Sequence, residues 1–182
     1  MMKIFAVFTI LVACAMCGPF CPDTATVPDF DLVPYMGRWY EVGTSSIPRD
    51  TFERGLVCNA AFYTLFDIVQ VNNSGLVGSP TGPNTFIVGK ADVPDASVPG
   101  ALEVTFTNSF TGNPNYFVMA VDYDSYVLIG GPCQLYLWIL SRTPSISDSD
   151  YDYLISIAEK EGYNPDRIGF KREDNSACRY QF

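Results

Sequence analysis

Apolar and polar residues alternate with a period of two along much of this chain. Over 101–108, Leu102, Val104 and Phe106 alternate with Glu103, Thr105 and Thr107. That is the pattern of a strand with one apolar face and one wetted face. Runs rich in β-branched and aromatic residues recur at short intervals. Turn-rich joints at 72–75, 78–84, 98–100 and 112–115 separate them. The spacing predicts a meander of hairpins with strands near 38–46, 56–65, 67–72, 85–91, 101–108, 115–122, 126–131 and 135–142. Eight antiparallel strands can close into an up-and-down barrel, which removes the edges and can hold one small ligand. The fold class read from the pattern is all-β.

One segment has a different period. Over 147–160, Tyr151, Leu154, Ile155 and Ala158 recur at helical spacing. Ser147 caps the start with Asp150 in support, Asp148, Asp150 and Asp152 suit the positive end of the dipole, and Gly162 stops the helix. Only one side is apolar, so this C-terminal α-helix should pack outside the barrel, with Leu137 and Ile139 as its bed. The tail at 170–182 is polar and carries Cys178.

The beginning of the chain is read as a signal peptide at 1–17. Met1-Met2-Lys3 is a short basic start, 4–12 is apolar, and Ala13, Cys14, Ala15, Met16 and Cys17 follow. The apolar run is too short to span a bilayer. Leu11-Val12-Ala13-Cys14 also has the look of a lipoprotein signal, against which the later cysteines argue. The remainder, 18–182, is the length of one domain. Its charge balance is acidic, 11 basic against 20 acidic groups and a net charge of −9 over the whole chain. The leader contains Lys3 and no acid, so its loss makes the rest one unit more negative. Such a surface excludes nucleic acid as a partner and is repelled by anionic membranes.

Histidine is absent. That removes the commonest metal ligand, the usual general base and any triad of the usual kind, so neither a metal, a cofactor nor a catalytic site is expected. Cys21, Cys58, Cys133 and Cys178 remain after the leader. An even set in an exported chain implies two disulfides, with three pairings open. Asn72-Asn73-Ser74 is a glycosylation acceptor sequence at an expected turn.

Three short motifs stand in a telling order: Gly37-Arg38-Trp39-Tyr40-Glu41, then Asp122-Tyr123-Asp124-Ser125-Tyr126, then Ser141-Arg142-Thr143-Pro144. Together they resemble the three signature motifs of the lipocalin family, in wording similar to its apolipoprotein D-like branch. The resemblance covers essentially the whole chain after the leader. It implies that Trp39 plugs the closed end of the barrel, that Arg142 lies across its face, and that Gly37 belongs to the same structural corner. A guanidinium stacked on an indole is worth about 1–2 kcal/mol when partly desolvated. The resemblance also implies the pairing Cys21–Cys133 and Cys58–Cys178.

Similarity to retinol-binding lipocalins phases the other strands. It implies an inward set of Glu41 and Gly43; Asn59, Ala61 and Tyr63; Ile87, Gly89 and Ala91; Tyr116, Val118 and Ala120; Val127 and Ile129; and Tyr136, Trp138 and Leu140. The alternation already supplies Leu102, Val104 and Phe106. Small residues in this set leave space, and tyrosine and tryptophan offer flat walls with a polar tip. The loop at 47–55 is expected to lid the mouth, with Phe52 closing over the ligand.

The expected function is a secreted, extracellular carrier of one small hydrophobic ligand: retinoid, carotenoid, sterol, fatty acid or bilin. The inward set contains no lysine or arginine, so a ligand carboxylate must sit at the mouth near Arg49, Arg54 and Lys90. A homo-oligomer or a receptor stays open as a partner. Two other readings compete: a lipid-modifying enzyme on the same barrel, which would need a free inward cysteine near Cys58, and a protein-interaction module without a ligand.

Overall fold

The computed structural model describes residues 21–180, so the leader at 1–17 lies outside the described residues. Eight strands run in chain order: β1 (Gly37–Thr44), β2 (Leu56–Leu65), β3 (Val69–Val77), β4 (Asn84–Asp92), β5 (Ala101–Thr105), β6 (Tyr116–Asp122), β7 (Tyr126–Gly130) and β8 (Leu137–Ser141). Each pairs antiparallel with the next, and β1 pairs with both β8 and β2, which closes the barrel. A ninth, two-residue strand, β9 (Lys171–Arg172), adds to the upper part of β1. The expected all-β barrel is therefore the fold.

The expected joint at 72–75 is not a turn. Asn72 pairs with Phe62 and Val88, Asn73 with Ala61 and Ile87, and Gly75 with Thr85, all within β3. β3 is flanked on both sides, so two ladders of backbone hydrogen bonds outweigh the turn preference of asparagine and glycine. The reversal falls at the next joint, where the amide of Gly82 donates to the Ser79 carbonyl.

Three bulges decide which side chains enter the barrel. In β1 the register shifts between Glu41 and Gly43: Glu41 stands opposite Leu140, Gly43 opposite Ile139 and Thr44 opposite Trp138. One extra residue inverts the phase beyond it. Gly43 was expected inward but faces out, where a Cβ would lie 2.8 Å from the Phe170 ring, and Thr44 faces in. In β6 a shift between Val118 and Ala120 does the same. Ala120 packs in the outer core instead of the lumen, and Val121 takes the inner side. In β2 the shift lies between Val57 and Ala60, with Cys58 at φ +56°.

The C-terminal helix is present, as α3 (Asp148–Lys160). The amide of Asp150 donates to Ser147 Oγ at 3.1 Å. Leu154 and Ala158 are buried against Leu128, Leu137 and Ile139 on the outer wall, so the expected bed is correct. Two short helices flank β1: α1 (Leu32–Tyr35) under the closed end and α2 (Ser46–Asp50) at the mouth. Both disulfides pair as the resemblance implied, Cys21–Cys133 and Cys58–Cys178. Among the described residues no helix is long and apolar enough to cross a membrane.

Candidate functional site

The barrel has one sealed end. Trp39 is fully buried, and its indole N–H donates to the Tyr35 carbonyl at 2.8 Å. The Arg142 guanidinium lies 3.7 Å from the centre of the indole ring. It donates to the carbonyls of Tyr123, Arg38 and Pro34 at 2.8, 2.9 and 2.7 Å. Gly37 has φ +91°, a backbone conformation that favours glycine.

Above the plug the lumen is filled. Tyr35 stacks on Tyr63 at 5.4 Å. The hydroxyls of Tyr35 and Tyr116 bond at 2.5 Å, with Tyr63 3.4 Å from Tyr116. Burial pushes Tyr63 up to about 12 and holds Tyr35 and Tyr116 well above the usual phenol range, so all three stay neutral. The remaining void here is about 10 Å³, room for about one water. The small residues thus do not leave an empty base.

The other end is open. Ile87 stands on the inner face opposite Asn73 yet is 52% exposed. Phe106 lies beyond the end of β5, 43% exposed, and covers the inner face of Gly89, whose Cβ would meet its ring at 2.6 Å. Tyr136 precedes β8 and stacks on Trp138 at 6.0 Å. The expected lid residue Phe52 points to solvent at 64% exposure, and its neighbour Glu53 reaches inward instead.

A second cavity, about 130 Å³, lies where β1 and β2 part in the mouth-side half. Glu41, Thr44, Arg49, Glu53, Asn59, Glu173 and Asn175 line it with Leu56, Val57 and Cys58. Asn59 Nδ2 donates to Glu41 Oε1 at 3.1 Å, and Trp138 Nε1 donates to Glu53 Oε1 at 3.3 Å. Burial, then the charge of Glu53, holds the Glu41 carboxyl well above the usual range. Burial raises Glu53 to about 7, against the Trp138 hydrogen bond.

These two carboxyls bind protons more tightly in the folded chain than in the unfolded one. The contribution of Glu53 to stability is complete below the ordinary carboxyl range and is lost as pH rises through about 7, and the raised Glu41 carboxyl acts in the same direction. Acidification from pH 8 to pH 5 should therefore stabilise the fold, by on the order of 2 kcal/mol. A melting temperature that rises over this window in the parent, with a flatter slope in Glu53→Gln, checks this.

Of the expected inward residues, Ala61, Tyr63, Leu102, Val118, Val127, Ile129 and Leu140 are buried in the inner core, with Val104, Tyr116 and Trp138 packed against it. Glu41 and Asn59 line the polar cavity. Tyr35, Thr44 and Glu53 were missed. Thr44 was hidden by the bulge, and Tyr35 and Glu53 lie outside the strands. Val69 and Val71 are also in the inner core, and their alternation around Gln70 was a usable signal. Arg49 is turned to the Thr44 and Gly169 carbonyls, and Lys90 to the Asn108 carbonyl. Glu103, expected on a wetted face, is buried and accepts from the Thr111 and Gly112 amides.

Comparison with known proteins adds four findings. A family model described as a lipocalin-like domain matches residues 30–173. Outer membrane lipoprotein Blc of Escherichia coli is 34% identical over 170 residues, covering 92% of each chain. Apolipoprotein D of Mus musculus is 31% identical over 157 residues, covering 81% of this chain and 79% of that one. The structure of insecticyanin from Manduca sexta superposes with a TM-score of 0.65 at 21% identity, covering 88% and 90%, and agrees in fold.

Proposed function

From the premise that this chain belongs to the lipocalin family, we propose that it is a secreted carrier holding one small hydrophobic molecule in the mouth-side half of its barrel. A lipocalin barrel implies a small hydrophobic ligand. The observation that supports placing it near the mouth is the gradient along the inner face: Val127 is fully buried near the base, while Ile87 is 52% exposed at the rim. Trp138 and Tyr136 supply a flat aromatic wall between them. Burial of ~300 Å² of apolar ligand would give roughly 7–8 kcal/mol before association costs, consistent with micromolar or tighter binding.

Titration of tryptophan emission with a retinoid and with a fatty-acid probe tests the reading. Saturable quenching is expected for at least one of them. Trp138→Ala should weaken binding about tenfold while the melting temperature moves by only a few degrees. Absence of saturable binding by any apolar probe would contradict the carrier.

An extracytoplasmic route fits the two disulfides and the two named relatives, and free secretion is the form we propose for this chain. Carbohydrate at Asn72, now placed in mid-strand between Phe62 and Val88, belongs to the same route. Binding is favoured over enzymatic modification because Cys58, the thiol an enzyme would use, is bonded to Cys178.

A further inference from the structure

The outer face of β2, β3 and β4 is not the wetted surface that alternation leads one to expect. Arg38 on β1, Phe62 on β2, Asn72 on β3 and Val88 on β4 stand in one row across the sheet. Their chain neighbours Ala61, Asn73 and Ile87 form the adjacent row on the inner face, so this row points out. Phe86, opposite Ser74, lies in the next outward row. Phe62 is 42% exposed, Val88 48% and Phe86 67%. Single exposed apolar residues are ordinary, but three that adjoin one another on an open face mark a surface with an occupant.

Asn72, the acceptor of Asn72-Asn73-Ser74, stands at the centre of this patch. Residues opposite one another on neighbouring strands have Cβ atoms about 5 Å apart. Asn72 is therefore flanked within side-chain reach by Phe62 and Val88, with Phe86 on the diagonal. Of its two amide atoms Oδ1 is enclosed, and Nδ2, the atom that can carry a sugar, is not. The Arg38 guanidinium lies 5.2 Å from the centre of the Phe62 ring and takes one flank of it; Asn72 is on the other.

A pyranose ring has a polar rim and a face of C–H groups. That face sits well on the electron-rich face of an aromatic ring or on an aliphatic side chain. A protein partner laid on this surface would meet a sugar at its centre. The chain thus carries an exposed apolar face and, in the middle of it, the attachment point of a cover.

We propose that Asn72 is glycosylated and that its first N-acetylglucosamine lies over Phe62 and Val88, a covalent cover for this face. In the transfer, Nδ2 bonds to C1 of an N-acetylglucosamine carried on a lipid diphosphate. The C1–O bond breaks, the lipid diphosphate leaves, and Nδ2 gives up one proton to the transferase. Because Asn72 is paired on both sides in the folded sheet, this transfer precedes closure of β3, on the chain as it is exported. The proposal rests on the exported route and goes beyond the carrier reading, whose ligand lies on the other side of the sheet.

Secretion of the full chain from a glycosylating eukaryotic cell, with mass spectrometry of the peptide containing Asn72, tests the attachment. Ser74→Ala should lose the sugar and Ser74→Thr should keep it. Melting curves test the cover. Trimming to a single N-acetylglucosamine should leave the melting temperature within about 1 °C, because the first sugar makes the contacts. The same chain made without sugar, in cells whose lipid-linked sugar synthesis is inhibited, should melt about 2–5 °C lower. In Phe62→Ser, loss of the sugar should cost less than half of that shift. Enzymatic removal of the sugar from the secreted protein serves where the bare chain is not secreted, since it acts alike in both backgrounds. An unmodified Asn72 in the secreted protein would overturn the proposal and leave the export route standing. Retention of the chain inside the cell would remove the route, and the proposal with it. A sugar whose loss costs the same in both backgrounds does not lie on Phe62, and overturns the cover. Self-association of the glycosylated protein that Phe62→Ser abolishes would give the face to a second copy, and overturns it equally. Retinoid and fatty-acid titrations should be the same with and without the sugar, so failure of the carrier is read separately.

Discussion

Replacing Cys58 and Cys178 together by serine should lower the melting temperature by roughly 10–15 °C. The bond spans 120 residues of chain, and closing so long a loop in the unfolded state is worth about 4–5 kcal/mol in the chain-entropy account. Its consequence is also local. The tail it anchors carries β9, and the amide of Glu173 donates to the Val42 carbonyl at 3.0 Å. Asn175 Nδ2 donates to the Glu41 carbonyl at 2.8 Å. With the tail released, the polar cavity loses the wall formed by Glu173 and Asn175. Cys21–Cys133 spans 112 residues and closes a loop of similar length, but its cysteines do not line that cavity. Serine replacement of this second pair should cost similar stability and leave hydrogen exchange at 171–178 as in the parent. The first pair should accelerate exchange there. Equal exchange in the two variants, or a melting temperature within a few degrees of the parent for the first, would show the tail is held by its non-covalent contacts alone.

The barrel was legible because it rests on repeated signals. Alternation at Leu102, Val104 and Phe106 and joints at short spacing specify strands whatever their neighbours do. The plug was legible because Trp39 and Arg142 sit in ordered motifs. Phase was not legible beyond a bulge. Gly43 and Ala120 are inward in the phase that similarity to retinol-binding lipocalins implies, and each lies just past an unpaired residue that reverses that phase. Nothing in the composition around Val42 or Met119 announces the insertion, because a bulge answers to strand curvature set by the whole barrel. The polar cavity was hidden for a related reason. Its walls come from β1, α2, β2 and the tail, segments far apart in the chain, and Thr44 is inward only because of the bulge. Asparagine at 72 and 73 misled in the opposite sense. Turn chemistry is a local preference, and β3 has partners on both edges.

Arg142→Ala should destabilise the fold by about 3 kcal/mol, or roughly 6–12 °C in melting temperature, and leave the rank order of ligand affinities unchanged. The guanidinium does two things at once. It covers the indole of Trp39 at 3.7 Å, and it gathers three carbonyls from three separate segments: Pro34 in α1, Arg38 in β1 and Tyr123 in the β6–β7 turn. Alanine leaves the partly buried carbonyls unpaired and lets water reach the ring. Trp39 emission should therefore shift to longer wavelength in the variant even well below its melting point. Arg142→Lys tests geometry against charge. A single ammonium cannot point along three directions and stack as well, so lysine should recover less than half of the loss. The mouth-side wall of Trp138 and Tyr136 and the polar cavity lie towards the opposite end of the barrel, so ligand preference should be carried through all three proteins. A variant that melts with the parent would mean the plug stands on Trp39 and its Tyr35 hydrogen bond alone. A changed order of affinities would mean the ligand reaches down to the base, past the tyrosine layer that now fills it.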